Sequence, residues 1–167
     1  MDIRPAKYED LPRILEIYAI GRAYMRSTGN MQQWAGGYPQ EEVLRDDIEK
    51  KQLFVCEENG ILHGVFAFIL GEDPTYGYID GSWPNQKPYG TIHRIASDGT
   101  VKGLVAMARD FGRNFIDEIR IDTHHDNHTM QHVVTKNGFK HCGIIYLENG
   151  DPRIAYQWSE EQKHENV

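Results

Sequence analysis

Apolar side chains recur every three to four positions in four segments of the chain, and this spacing predicts four amphipathic helices. The predicted helices cover residues 11–25, 40–51, 98–112 and 127–137. Asp10 is the predicted N-cap of the first helix, whose first turn contains Pro12. Asn127 is the predicted N-cap of the last helix, which ends where Gly138 can take a left-handed conformation.

Runs rich in β-branched and aromatic residues lie between these helices and predict about seven strands. They cover residues 3–6, 52–57, 61–70, 91–97, 118–123, 140–147 and 153–158. Asn59-Gly60 predicts a tight hairpin between the second and third strands. Residues 27–38 and 73–89 are rich in glycine and aromatic side chains and are predicted loops. The element order predicts an α+β fold (mixed α/β), in which a mixed sheet carries helices on both faces.

The composition adds a domain count and excludes some partners. The chain has 167 residues, of which 40% are hydrophobic and 26% charged. That balance fits one domain, residues 1–158, followed by a frayed acidic tail at 159–167. A formal net charge of −7 argues against nucleic acid as a partner. No apolar run approaches the roughly 18 residues of a membrane span, so we expect no membrane partner.

The cysteine content indicates a reducing compartment. Cys56 and Cys142 are the only two cysteines, and neither has a partner nearby in sequence. We therefore expect free thiols and a cytoplasmic protein.

The segment from Thr91 to Gly103 is a predicted strand that runs into a glycine-flanked turn at the start of a helix. Such a turn presents unpaired backbone N–H groups at the positive end of the helix dipole, where a pyrophosphate binds well. Gly99 and Gly103 allow a ligand to approach the backbone closely, and Lys102 adds a positive charge. An ordinary strand-to-helix turn, in which Gly99 only satisfies a positive φ, is the alternative.

A second segment carries a resemblance to a known family. Asn127 follows a predicted strand, and Gly138 and Phe139 stand eleven and twelve residues after it. With this spacing, and in the order of elements over nearly its whole length, the chain resembles the GNAT superfamily of N-acetyltransferases. The family's Gln-x-x-Gly-x-Gly/Ala turn maps onto residues 100–105, where only the first glycine, Gly103, is kept. The coenzyme A-binding motif is therefore degenerate.

The resemblance implies a predominantly antiparallel mixed sheet split centrally between strands 91–97 and 118–123, with acetyl-coenzyme A bound there as co-substrate. Backbone groups of Ile95 and Ser97 would bond its pantetheine arm, and the glycine turn would hold the pyrophosphate. Asn127 would lie near the arm, although capping alone also explains it. The cofactor-binding residues so implied are Ile95, Ala96, Ser97, Gly99, Thr100, Val101, Lys102, Gly103, Leu104 and Asn127.

The chemistry implied by the resemblance is direct attack of a substrate amine on the thioester carbonyl. Orientation of the two reactants can supply about 7–11 kcal/mol, against roughly 3–5 kcal/mol from a general base. His93 and His124 are candidate bases, each with a surface or hydrogen-bonded structural role as the alternative. Asp122, close to His124, is either an orienting group or a charge at a helix N-terminus.

The proton donor departs from the family pattern. Many members place a tyrosine acid seven residues after the capping asparagine, and this chain has Val134 there. Tyr146 on the following strand, or a water molecule, is the predicted replacement.

Two further groups of residues have more than one interpretation. Histidines cluster at His124, His125, His128 and His132, but no HExxH motif is present, so we expect solvent-facing side chains and no metal. Six aromatic residues in predicted loops either wall an acceptor pocket or cap the core. They are Trp34, Tyr38, Tyr76, Tyr78, Trp83 and Tyr89.

Together these patterns predict an N-acetyltransferase that moves acetyl from acetyl-coenzyme A to a primary amine of a small molecule or peptide. A catalytically silent acyl-coenzyme A-binding or regulatory module is the main alternative, because the tyrosine acid and part of the glycine turn are missing. A protein-interaction domain without coenzyme is a third. The edge of the closing hairpin could also support a homodimer.

Overall fold

The computed structural model describes residues 1–160, which form four helices and eight strands. The helices are α1 Leu11–Ser27, α2 Glu41–Glu49, α3 Leu104–Gly112 and α4 His128–Lys136. The strands are β1 Asp2–Pro5, β2 Leu53–Glu58, β3 Ile61–Leu70, β4 Asp80–Gly81, β5 Gly90–Ser97, β6 Glu118–Thr123, β7 Lys140–Tyr146 and β8 Pro152–Ser159. None of these helices is both long and apolar enough to cross a membrane.

All eight strands belong to one sheet, in the order β1-β2-β3-β5-β6-β8-β7-β4. Every neighbouring pair is antiparallel except β5 and β6, which are parallel. The predicted mixed, mainly antiparallel fold is therefore confirmed. The extra strand, β4, lies inside the predicted loop 73–89 and covers part of the edge of β7. It needs glycine, because a Cβ on Gly81 would overlap the carbonyl of Cys142.

The central split is also confirmed. β5 and β6 pair only near the start of each strand, Gly90 with Ile119 and Thr91 with Arg120, and then diverge. Beyond this point β5 contains a bulge opposite β3. Arg94, within the bulge, has a left-handed φ of 50°.

Contacts from α1 and α2 hold this bulge in place. The hydroxyl of Tyr18 donates to the carbonyl of Arg94 at 2.6 Å. The Arg94 guanidinium binds both carboxylate oxygens of the buried Asp47 at 2.8 Å. Burial alone would lower the pKa of Arg94, but Tyr38 and Asp47 raise it, so the guanidinium keeps its charge.

Apolar side chains form a separate cluster on each face of the sheet. On one face, α1 and α2 cover a cluster that includes Tyr18, Leu44 and Ala96. On the other, α3 and α4 cover a cluster that contains Ile119 and Ile121 of β6. A third cluster, which includes Tyr76, Tyr89, Ile145 and Ala155, packs the loop 71–89 against the sheet.

One predicted helix start is corrected. Helix α3 begins at Leu104 and not at Asp98, because Gly103 takes a left-handed φ of 79° as its N-cap. Helix α1 begins at Leu11 with Asp10 at its N-cap position, as predicted, but the Asp10 side chain makes no cap bond, because its carboxylate accepts from the Lys7 N–H and pairs with Arg4. The cap of α4 is as predicted, since Asn127 Oδ1 accepts from the Met130 N–H at 3.0 Å.

The start of the predicted tail belongs to the fold. Ser159 is the last residue of β8, and the carboxylate of Glu160 accepts from Arg113 at 2.6 Å. The rest of that tail, residues 161–167, lies outside the described residues.

Candidate active site between the diverging strands

The opening between β5 and β6 brings most predicted site residues to one end of the sheet. Ile95, Ala96 and Ser97 lie on β5 after its last pairing with β6. Ile95 packs on the α3 face of the sheet and Ala96 on the α1 face. The backbone of this part of β5 therefore borders the opening.

The turn after β5 presents a run of unpaired backbone donors. Two of the predicted donors are used within the turn: the Gly99 N–H binds Ser97 Oγ at 3.2 Å and the Thr100 N–H binds Asp98 Oδ1 at 3.0 Å. The N–H groups of Val101 to Ala106 have no partner within residues 1–160. The first bond of α3 runs from Met107 to Gly103. Six consecutive amides at a helix N-terminus can hold an anion.

Asp98 fixes this turn to the rest of the fold. Its Oδ2 lies 2.9 Å from Arg13 of α1 and 2.8 Å from His63 Nδ1 of β3. Burial would raise the pKa of Asp98, but bonds from Thr100 and His63 lower it. The negative charge is thus compensated next to an anion-binding turn. Sequence reasoning missed Arg13 and His63, which stand 85 and 35 residues from Asp98.

His93 forms a hydrogen-bonded pair with Asp73, which the sequence did not single out. His93 Nε2 lies 2.8 Å from Asp73 Oδ2. Burial would raise the pKa of Asp73, but bonds from His93 and from the N–H and hydroxyl of Thr75 hold it at about 2. Because an ionised carboxylate only accepts, Nε2 donates its hydrogen to Asp73. Nδ1 makes no hydrogen bond within residues 1–160.

Tyr76 and Asp122 lie beside this pair. The Tyr76 hydroxyl donates to Asp122 Oδ2 at 2.6 Å, and its ring centre is 6.2 Å from that of His93. Burial and the charge of Asp122 raise the pKa of Tyr76 well above its ordinary value. Tyr76 therefore keeps its proton, and Asp122 is an orienting partner of the loop instead of a charge on α4.

The six loop aromatics divide between the two earlier interpretations. Tyr76, Trp83 and Tyr89 pack together near His93, and the last two hold Arg120 between their rings at 3.8 Å each. The other three lie elsewhere: Trp34 packs on Tyr18 and Tyr38, and Tyr78 is exposed beside Tyr146. The first group therefore lies beside His93, whereas Trp34 packs on the cluster that contains Ala96, and the Tyr38 hydroxyl accepts from Arg94.

His124 is buried, against the expectation of a solvent-facing side chain. It is 6% exposed and stacks on His125 with ring centres 4.3 Å apart. Its Nδ1 accepts from the Asp126 N–H at 3.0 Å. Burial, with the nearby charges of Arg153 and His125, lowers its pKa. The ring is therefore neutral with the proton on Nε2, which leaves His124 a hydrogen-bond donor and no free base.

The histidine cluster offers few free metal ligands among residues 1–160. Donor atoms of His124, His125 and Asp126 lie within 4.8 Å of one another, but His124 Nδ1 is already bonded. His128 and His132 are exposed. The absence of a metal stays a prediction.

Neither tyrosine position identifies a proton donor. Tyr146 ends β7, which β8 separates from β6, and its ring contacts Tyr78. Val134 is 1% exposed, within the cluster under α3 and α4. The role of Tyr146 as an acid stays a prediction.

Asn127 links α4 to the loop that follows α1. Its Oδ1 caps α4, while its Nδ2 donates to Gln33 Oε1 at 3.0 Å. A contact of 3.1 Å between the hydroxyls of Tyr24 and Thr129 also joins α1 to α4. Both ends of the Asn127 amide are thus occupied, and its contact with a cofactor stays a prediction.

Comparisons with solved structures give strong matches. A scan against family models and a search of curated proteins both find no match. A GNAT family acetyltransferase from Streptococcus agalactiae is 33% identical with a TM-score of 0.82, over 95% of this chain and 94% of that one. One from Listeria monocytogenes is 19% identical with a TM-score of 0.70, over 95% and 94%. AAC(6')-Ib, in complex with ribostamycin and coenzyme A, is 17% identical with a TM-score of 0.67, over 97% and 94%.

Proposed function

The chain belongs to the GNAT family of acetyltransferases, and on this premise we propose that it transfers acetyl from acetyl-coenzyme A to a primary amine of a small molecule or peptide. One observation carries the proposal. The two strands part after Thr91, and the turn that follows β5 at the open end leads into the first turn of α3, where the amides from Val101 to Ala106 have no partner within residues 1–160.

The residues present fit the coenzyme. Unpaired amides at a helix N-terminus suit its diphosphate, and Lys102, which is exposed in the same turn, adds a positive charge. The parted strands leave the backbone of Ile95 and Ser97 available to the pantetheine arm. When bound, acetyl-coenzyme A supplies an activated acyl group whose carbonyl an amine can attack.

The His93–Asp73 pair supplies the base. A neutral His93 that donates Nε2–H to Asp73 presents Nδ1 to a proton leaving the attacking amine. Asp73 fixes the ring and stabilises the imidazolium that forms. This step contributes roughly 3–5 kcal/mol, whereas positioning contributes about 7–11 kcal/mol. In this scheme Tyr146 or a water molecule returns a proton to the leaving thiolate, since the usual tyrosine position holds the buried Val134.

Thiol release from acetyl-coenzyme A across a panel of primary amines tests the proposal. We expect His93→Gln to lower kcat/KM by about 10²–10⁴-fold. The matched control is His132→Gln, which changes an exposed histidine on α4 and should leave the rate unchanged. Binding of coenzyme A with no thiol release on any amine would favour the silent module. No heat on titration with coenzyme A would favour an interaction domain.

Three smaller expectations accompany this function. We place the reaction in the cytoplasm, the compartment that free cysteines favour. Neither nucleic acid nor membrane is proposed as a partner. A homodimer would use the edge of β7 that β4 leaves uncovered.

A further inference from the structure

Arg153 is a buried cation that forms no ion pair within residues 1–160. It lies on β8, is 9% exposed, and donates only from Nη1 to the carbonyl of Pro152 at 2.8 Å. Within residues 1–160 no carboxylate oxygen lies within 4.0 Å of its guanidinium nitrogens. Burying an unpaired charge is costly. A guanidinium kept this way has donors left for a ligand.

His124 adds a second donor at the same place. Thr123 of β6 pairs with Ile154 of β8, so His124 and Arg153 are the next residues across the two strands. Burial is the main cause of the lowered pKa of His124, and the charge of Arg153 is the next. Since Nδ1 of His124 is bonded to Asp126, Nε2–H points to no acceptor within residues 1–160. Two neighbouring donors therefore lack an acceptor.

These donors lie on the acceptor side of the sheet. The α3 face of β6 is marked by Ile121, and the next residue, Asp122, faces the opposite way and binds Tyr76. Arg153 pairs with Ile145, which packs with Tyr76 on that same face. The amides at the start of α3 lie on the other face of the sheet. The donors of Arg153 and His124 are therefore separate from the proposed diphosphate site.

The carboxylates near Arg153 form no ion pair with it within residues 1–160. Burial lowers the pKa of Arg153, while Asp122 and Asp151 oppose the shift without forming an ion pair. Asp122 already accepts from Tyr76. A carboxylate brought by a ligand would meet a planar guanidinium fork, and a nearby ammonium group would meet Asp122.

We propose that Arg153 and His124 bind the carboxylate of the acceptor, which makes the acceptor an amino-acid-type molecule with its primary amine close to a carboxylate. This rests on the proposed acetyl transfer. Asp122 lies between Arg153 and the opening beside His93, which places the amine of such a zwitterion toward the reacting groups. Arg153 is then a specificity-determining residue.

Matched acceptors test this inference. L-phenylalanine is compared with phenethylamine and phenylalaninamide, and L-lysine with cadaverine, by kcat/KM for thiol release. We expect the carboxylated member to be preferred by about 10- to 150-fold, the range of charge-assisted hydrogen bonds. Arg153→Gln should collapse this ratio toward one, and Arg153→Lys should keep part of it. Arg109→Gln, which removes a half-buried arginine on α3, should leave the ratio unchanged.

A binding measurement separates this inference from the proposed function. Calorimetry compares N-acetyl-phenylalanine with N-acetyl-phenethylamine on protein saturated with coenzyme A. Transfer to amines without a carboxylate preference would overturn the subsite and leave the transferase intact. Carboxylate-dependent binding that Arg153→Lys weakens, without turnover on any amine, would keep the subsite and remove the transferase. If neither turnover nor binding depends on the carboxylate, the subsite is refuted.

Discussion

Replacing Asp73 by asparagine removes one negative charge from the His93 pair and keeps the shape of the side chain. The pKa of Asp73 is held at about 2, against an ordinary value of 3.8. Each unit is worth about 1.4 kcal/mol, so the ionised form contributes about 2 kcal/mol to the free energy of unfolding at neutral pH. The side chain is 17% exposed, and solvent therefore screens it only partly.

The pH dependence fixes the sign of this effect. Because the folded-state pKa lies below the unfolded-state value, the contribution is present above about pH 4 and is lost as the pH falls toward about 2. Asp73→Asn should therefore lower the free energy of unfolding by about 2 kcal/mol at pH 7. This difference from the unmodified protein should shrink below pH 4. Urea unfolding between pH 3 and pH 7 measures this.

Activity gives a second readout of the same substitution. An asparagine can rotate its NH₂ toward Nε2 and stabilise the wrong tautomer, so we expect kcat/KM to fall by about 10²–10⁴-fold. Asp110→Asn, an exposed carboxylate on α3, is the control and should change both quantities little. A loss of stability that is the same at pH 3 and pH 7, or an unchanged kcat/KM, would refute the account of Asp73 given above.

Two further predictions concern neighbouring residues. Burial lowers the pKa of His124, so the unfolded chain binds the proton better, and the free energy of unfolding should fall as the pH drops below about 6.5. His124→Gln should flatten this pH dependence in urea unfolding between pH 5 and pH 7.5. An unchanged slope would contradict the lowered pKa of His124. Arg120→Met removes a cation held between two rings at 3.8 Å and should lower the free energy of unfolding by about 2 kcal/mol or more, whereas a loss under about 0.5 kcal/mol would show that the ring contacts contribute little.

Most of the fold could be predicted because its signals are local. The spacing of apolar residues located all four helices, and β3 and β6 have the predicted bounds. The start of α3 was misplaced because the conformation of Gly103 depends on how the turn packs, and the spacing of apolar residues cannot show that. A strand as short as β4 leaves no period of its own and exists only through its contact with β7.

The candidate site, too, could be predicted only where its signals are local in sequence. The amide run before α3 is a property of one strand-turn-helix segment, so the sequence pointed to it. The contacts of His93 and Asp122 join residues that are distant in sequence: Asp73 stands 20 residues from His93, and Tyr76 stands 46 from Asp122. The one available signal for Asp73 was its place before Pro74, as the cap of a short turn. No sequence signal marked Arg153, since what distinguishes it is that it forms no ion pair within residues 1–160.

The opening between β5 and β6 is a consequence of contacts made elsewhere in the chain. Two adjacent parallel strands gain about 0.5–1.5 kcal/mol for each hydrogen bond that they form, so parting after two paired residues has to be offset. The left-handed Arg94 adds a further cost of about 1–2 kcal/mol. The buried pair with Asp47 and the bond from Tyr18 supply the compensation from α2 and α1. Because neither partner is near Arg94 in sequence, the opening depends on how α1 and α2 pack against β5.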